Sequence, residues 1–184
     1  MWANLVDNPR RGRLVVGLFL LMFGVGALAL PSLGRMSIRG VEILDVEFMR
    51  TSAKAAEQVA RLGPEGVDAA RISLYLDFPF LVLYAVALSA ACIVVAARAA
   101  DRGRTSLAAI GQRVAWLAPV AAACDALENI AILQVLADRV DQPWPAIAFG
   151  FAAVKFVLLA VVGGYLVVGL FLTLRRRESA DDPA

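Results

Sequence analysis

The sequence predicts an all-α integral membrane protein: a four-helix transmembrane bundle with both termini cytoplasmic and a partly helical extracytoplasmic loop, residues 32–71, between helices 1 and 2. Three observations carry this. Apolar residues make up 60% of the chain and mean hydropathy is +0.72, where soluble domains use about 45–50%. Four apolar stretches reach the roughly 17–25 helical residues that cross a ~30 Å hydrocarbon core. The basic residues outside those stretches are unevenly distributed, and their distribution orients the chain.

The first span covers about residues 14–31 and is preceded by Arg10, Arg11 and Arg13. Its Arg-rich flank and the string Ala27-Leu28-Ala29 also imitate a cleavable signal peptide. The apolar run continues past that string, and an even number of spans agrees with the basic residues at 175–177, so a retained span is the expectation.

In the loop, Val41, Ile43, Leu44, Val46, Phe48 and Met49 form an apolar cluster interrupted by Glu42, Asp45 and Glu47. Thr51 or Ser52 can cap a short helix through Leu62, which Gly63 and Pro64 end, and a second helical stretch from Pro64 feeds the next span. So few apolar residues cannot make an independent core. The loop is expected to lie on the outer face of the bundle, with Ile43, Phe48 and Met49 turned toward lipid or helices; a lid over a cavity is the alternative.

The second span covers about 72–97, the third 114–136 and the fourth 146–174. Helices are required, because lipid leaves unpaired backbone groups without partners. Arg98, Arg102, Arg104 and Arg113 flank the connection between the second and third spans, and Arg175, Arg176 and Arg177 follow the fourth. Six basic residues in the loop are matched there by six acids. The positive-inside rule therefore puts both termini in the cytoplasm. Trp116 and Trp144 stand at span ends, as interfacial anchors do. The acidic tail at 175–184 reads as disordered.

Within these spans lie ionisable residues, each costing roughly 2.5–3.5 kcal/mol at the centre of a membrane helix. Asp125, Glu128 and Asn129 stand at i, i+3 and i+4 of the third span, on one face. Ala118, Ala122 and Ala126 run beside that face and let a neighbouring helix approach closely. Glu128 lies roughly 12 Å from the outer end of its span, and Lys155 roughly 13–14 Å below the start of the fourth. A short connection then brings Lys155 to Glu128 or Asp125.

Asp77, Leu81 and Tyr84 share a face of the second span, and the Tyr84 hydroxyl can reach a carboxylate. If that span starts near Pro79, Asp77 sits at the outer rim by the positive end of the helix dipole. If the helix runs through Pro79, Asp77 belongs with the other polar residues. Asp125 and Glu128 against one Lys155 leave a surplus negative charge, so a proton, a bound cation or a cationic ligand balances the set. The structural alternative is a clamp that fixes helix packing.

Histidine is absent, which removes His-based acid–base catalysis and most zinc or haem sites. Cys92 and Cys124 are single residues in separate apolar runs, read as small buried residues. The chain lacks H-E-x-x-H, G-x-S-x-G, a P-loop and D-D-x-x-D. No catalytic residue, metal site or cofactor is assigned, and the net charge of +2 gives no reason to expect nucleic acid.

The leading reading is a small polytopic protein of a bacterial inner (plasma) membrane that binds or transports a proton, cation or small amine. Its candidate residues are Asp125, Glu128, Asn129, Lys155, Asp77 and Tyr84. The alternatives are a structural or accessory membrane protein and, last, an enzyme acting on a lipid or isoprenoid. The lipid bilayer is the expected environment. Four short helices enclose little volume, which suits a homodimer or a membrane partner protein.

Overall fold

The computed structural model describes residues 8–174. The arginines at 175–177 and the tail expected to be disordered, 175–184, lie outside them. All regular structure among the described residues is helical. In chain order the helices are α1 (Arg11–Ala27), α2 (Leu30–Ser37), α3 (Ile43–Glu47), α4 (Ser52–Asp101), α5 (Thr105–Val114), α6 (Leu117–Leu136) and α7 (Trp144–Leu174).

Three helices are long and apolar enough to cross a membrane: α4, the nearly continuous α5–α6 unit and α7. A fourth span exists if α1 and α2 are taken together, although they meet at a 41° bend. The 17 residues of α1 are at the short end of the crossing range. The expected single first span is therefore a bent pair.

The loop helices start where side-chain chemistry allows. Thr51 accepts a hydrogen bond from the Lys54 amide and caps α4, as its position before an Ala-rich helical run predicts. Glu42 and Asp45 form a reciprocal capping box that supports the short α3. At Gly63, φ is +63° and ψ −179°, a conformation that interrupts α4 and that a side chain would resist. Pro64 restarts the helix, where its missing N–H costs nothing.

From there the helix runs without a new start at Pro79, which lies in its interior. Segment 64–101 is roughly 57 Å long at 1.5 Å per residue. The reading that placed Asp77 beside a helix N-terminus is thereby corrected: the nearest start is Pro64, more than three turns away. A proline at residue 79 removes only one backbone donor, and packing against α1 and α6 holds the helix on both sides.

The core has three parts. Leu81, Tyr84 and Ala87 of α4 meet Met22 of α1 and Ala122 and Ala126 of α6 in the middle. At one end Cys92 and Ile93 pack with Val114, Ala118, Val162 and Tyr165. At the other end Met36, Val41, Val46 and Met49 are fully buried against Leu62, Ile132, Leu136 and Ala148. The loop is thus a component of the core rather than a covering on the outer face, with the helix ends supplying the apolar area it lacks. Of the three residues expected to face lipid or helices, Met49 is buried and Ile43 partly so. Phe48 stacks on Phe156 at 5.6 Å between centroids and meets Phe149 edge-on at 6.1 Å.

Candidate functional site

Lys155 is 4% exposed, on the face of α7 that packs against α6. Its Nζ donates to Asp125 Oδ1 at 3.0 Å and lies 2.8 Å from Glu128 Oε2. The i, i+3 spacing on α6 points both carboxylates at the same ammonium, as the helical period requires. Both expected contacts of Lys155 are present together. Close approach of the two helices follows from the small residues Ala121 and Ala152 along their buried faces.

The second oxygen of Asp125 accepts from the Tyr84 hydroxyl at 3.1 Å, which ties α4 to α6. Asn129, one residue beyond Glu128, donates its amide to Asp77 Oδ2 at 2.7 Å. The six residues singled out in the sequence therefore form two bonded groups across α4, α6 and α7, Tyr84–Asp125–Lys155–Glu128 and Asp77–Asn129, which meet at the neighbouring positions 128 and 129 of α6. The network leaves a gap: Glu128 is completely enclosed, yet its Oε1 has no hydrogen-bond partner.

A seventh member escaped the sequence reading. Glu47, the last residue of α3, lies 3.7 Å from Lys155 Nζ, and its Oε2 has no hydrogen-bond partner. Burial raises the Glu47 carboxyl above its ordinary 4.5, and the nearby Lys155 charge offsets part of that rise. Its sequence context, alternating acids in a cluster matched by arginines, reads as solvated surface. The signal that would have located it is Ile43 four residues earlier, which puts Glu47 on a partly buried face of a helix too short to show a period.

The Lys155 ammonium also lies 4.8 Å from the centroid of Phe156, and Arg50 stands 5.5 Å over Phe149. The Arg50 contact and the Phe48 stack hold the segment after α3 against α7 beside the ion pairs. One ammonium thus faces three carboxylates, and Asp77 stands beside them on its bond to Asn129. Among the described residues no cluster of acids and thiols has a geometry that would hold a metal ion. Cys92 is buried and Cys124 partly buried; both are free thiols.

Beside the network lies a cavity of about 220 Å³. Glu47, Asp77, Asn129 and Ser73 contribute its polar wall, and Leu33, Ile43 and Phe80 stand among its apolar ones. The α1–α2 bend borders it through Gly26 and Ala29. No protein family model, curated protein or solved structure matches the chain.

Proposed function

We propose that this chain is a multi-pass protein of a bacterial inner membrane that binds, and exchanges or transports, a proton, a cation or a small amine at the Lys155 network. In this reading α1–α2, α4, α5–α6 and α7 are four spans with cytoplasmic termini, and α3 closes the network from the outside. The single observation carrying the proposal is the charge imbalance at Lys155. One buried ammonium has three carboxylates within ion-pair reach, and one fully enclosed carboxylate oxygen is unpaired.

Physical chemistry connects that imbalance to function. A carboxylate in a low-dielectric interior is costly unless a positive charge or hydrogen-bond donors face it. Lys155 satisfies one unit of charge, so the remaining acids require protons or a cation. Groups that must take up a proton or cation to remain buried are suited to exchanging one. Glu47, on a five-residue helix, is placed to be the outermost exchanging group.

The test is infrared spectroscopy of the chain in lipid bilayers at neutral pH, alongside a count of tightly bound cations. A protonated carboxylic acid band, lost in the Asp125→Asn, Glu128→Gln double variant, or a stoichiometric cation lost in the same variant, is expected. The absence of both the band and a bound cation would overturn the proposal.

A second reading has its own support. The Tyr84–Asp125, Asn129–Asp77 and Lys155–Asp125 bonds each join two different helices, so the network can serve as a packing clamp. A clamp does not require a surplus of acids or an unpaired oxygen on Glu128.

A further inference from the structure

The cavity beside the network narrows the ligand class, and this step rests on the cation-binding reading above. At about 220 Å³ it is far larger than the ~10–15 Å³ that one water needs. It is smaller than the ~300–1,000 Å³ typical of sites for drug-sized ligands. Its wall is mixed: it carries two carboxylates, a Phe ring and aliphatic side chains.

A bare metal cation uses six or more oxygen ligands when it binds as calcium does, and the apolar part of this wall supplies none. Hydrated ions would leave that part in contact with water without benefit. A molecule with a compact cationic end and an apolar body matches both parts. We propose that the cavity binds a small protonated monoamine, its ammonium between Asp77 and Glu47 and its hydrocarbon body against Phe80, Leu33 and Ile43.

Each residue has a defined part. Asp77 Oδ2 is occupied by the Asn129 amide, which holds the carboxylate in place and leaves Oδ1 for the ligand. Glu47 lines the same cavity and its carboxylate shares the ammonium with Asp77, while its enclosed Oε2 stays turned to Lys155 at 3.7 Å. Phe80 offers an aromatic ring, which attracts a nearby cation as well as packing against hydrocarbon. Gly26 allows Phe80 its position, since a Cβ at residue 26 would come within 3.2 Å of the ring. A primary ammonium suits the site better than a quaternary one, because three N–H donors can serve two carboxylates.

The experiment is calorimetric titration of the full chain in lipid nanodiscs with benzylamine at neutral pH. Benzyl alcohol serves as the neutral probe of the same shape, which also corrects for partitioning into lipid. Saturable binding of benzylamine, at least tenfold tighter than benzyl alcohol, is expected. Asp77→Asn should weaken benzylamine tenfold or more, and Ser73→Leu, which fills the cavity, should abolish it. Equal binding of the two probes, absence of saturable binding, or wild-type affinity in either variant would overturn the proposal. The probe comparison needs only the wild-type protein, so a variant that fails to fold does not remove the test. Loss of benzylamine binding with the infrared band intact rejects the amine alone; loss of both rejects the cation site as well.

Discussion

The two ends of the bundle treat buried polar groups differently. Toward α5 and the end of α7, each buried hydroxyl has an acceptor on the backbone. Ser89 donates to the Ala115 carbonyl at 2.7 Å, Thr173 to Gly169 at 2.8 Å, and the partly buried Tyr165 to Leu107 at 3.3 Å. Toward the loop, the enclosed side-chain atoms without hydrogen bonds among the described residues belong to Glu47, Gln58 and Glu128. A fold that closes one end so completely can close the other. Buried polar groups are ordinarily satisfied, and the carboxylate exceptions at the loop end, Glu47 and Glu128, are the groups on which the proposed ligand or proton exchange rests.

The comparison is broken most forcefully at Lys155. Lys155→Met leaves three carboxylates facing no cation and should cost about 3–5 kcal/mol, read from denaturant unfolding in bilayers or detergent. A loss under about 1 kcal/mol would mean those acids are neutral in the wild type and do not need the lysine. At the closed end, the largest effect belongs to Gly111, where a side chain would collide with the Tyr165 ring and Ala96. Gly111→Ala should cost about 1–3 kcal/mol through overpacking, with no change in proton or amine binding.

Glu47 sharpens the contrast through pH. Its carboxyl is raised above 4.5 mainly by burial, so the folded protein holds that proton more tightly than the unfolded chain. The resulting stabilisation is complete below pH 4.5 and declines as pH rises through the folded value. Lys155, Asp125 and Asp77 all face this group, so the comparison must be made against Glu47→Gln. Unfolding from pH 5 to 8 should show wild type losing stability relative to that variant as pH rises; parallel curves would contradict the assignment. The smallest effect is expected for Tyr165→Phe, about 0.5–1.5 kcal/mol from one hydrogen bond, with a pH profile matching wild type.

Much of this site was legible in the sequence because helical rise is regular. Counting from the ends of two adjacent spans brought Lys155 level with Glu128 and Asp125, and the i, i+3 spacing put both acids on the same face. The partner of Asp77 was less accessible. A proline two residues on suggested a helix start, while the actual start is set by the Gly63 turn and Pro64. Glu47 was hidden for a different reason. Five residues of helix carry too little period to assign a face, and the burial of Val41, Val46 and Met49 depends on the far ends of α4, α6 and α7. Hydropathy runs through the bend between α1 and α2, and the signal for it is Pro31 in the first turn of α2, a position that favours a helix start.

The central claim is that the charges at Lys155 are kept for a ligand or proton rather than for stability. The most direct test is the double-mutant cycle of Glu128→Gln and Lys155→Met, with unfolding free energies measured in bilayers. Lys155→Met should be strongly destabilised and Glu128→Gln only mildly, because Asp125 and Glu47 still face the ammonium. Adding Glu128→Gln to Lys155→Met should recover a large part of the loss, with the remaining acids protonated and the infrared band retained. A double variant as unstable as Lys155→Met alone would contradict the account and make the network a clamp.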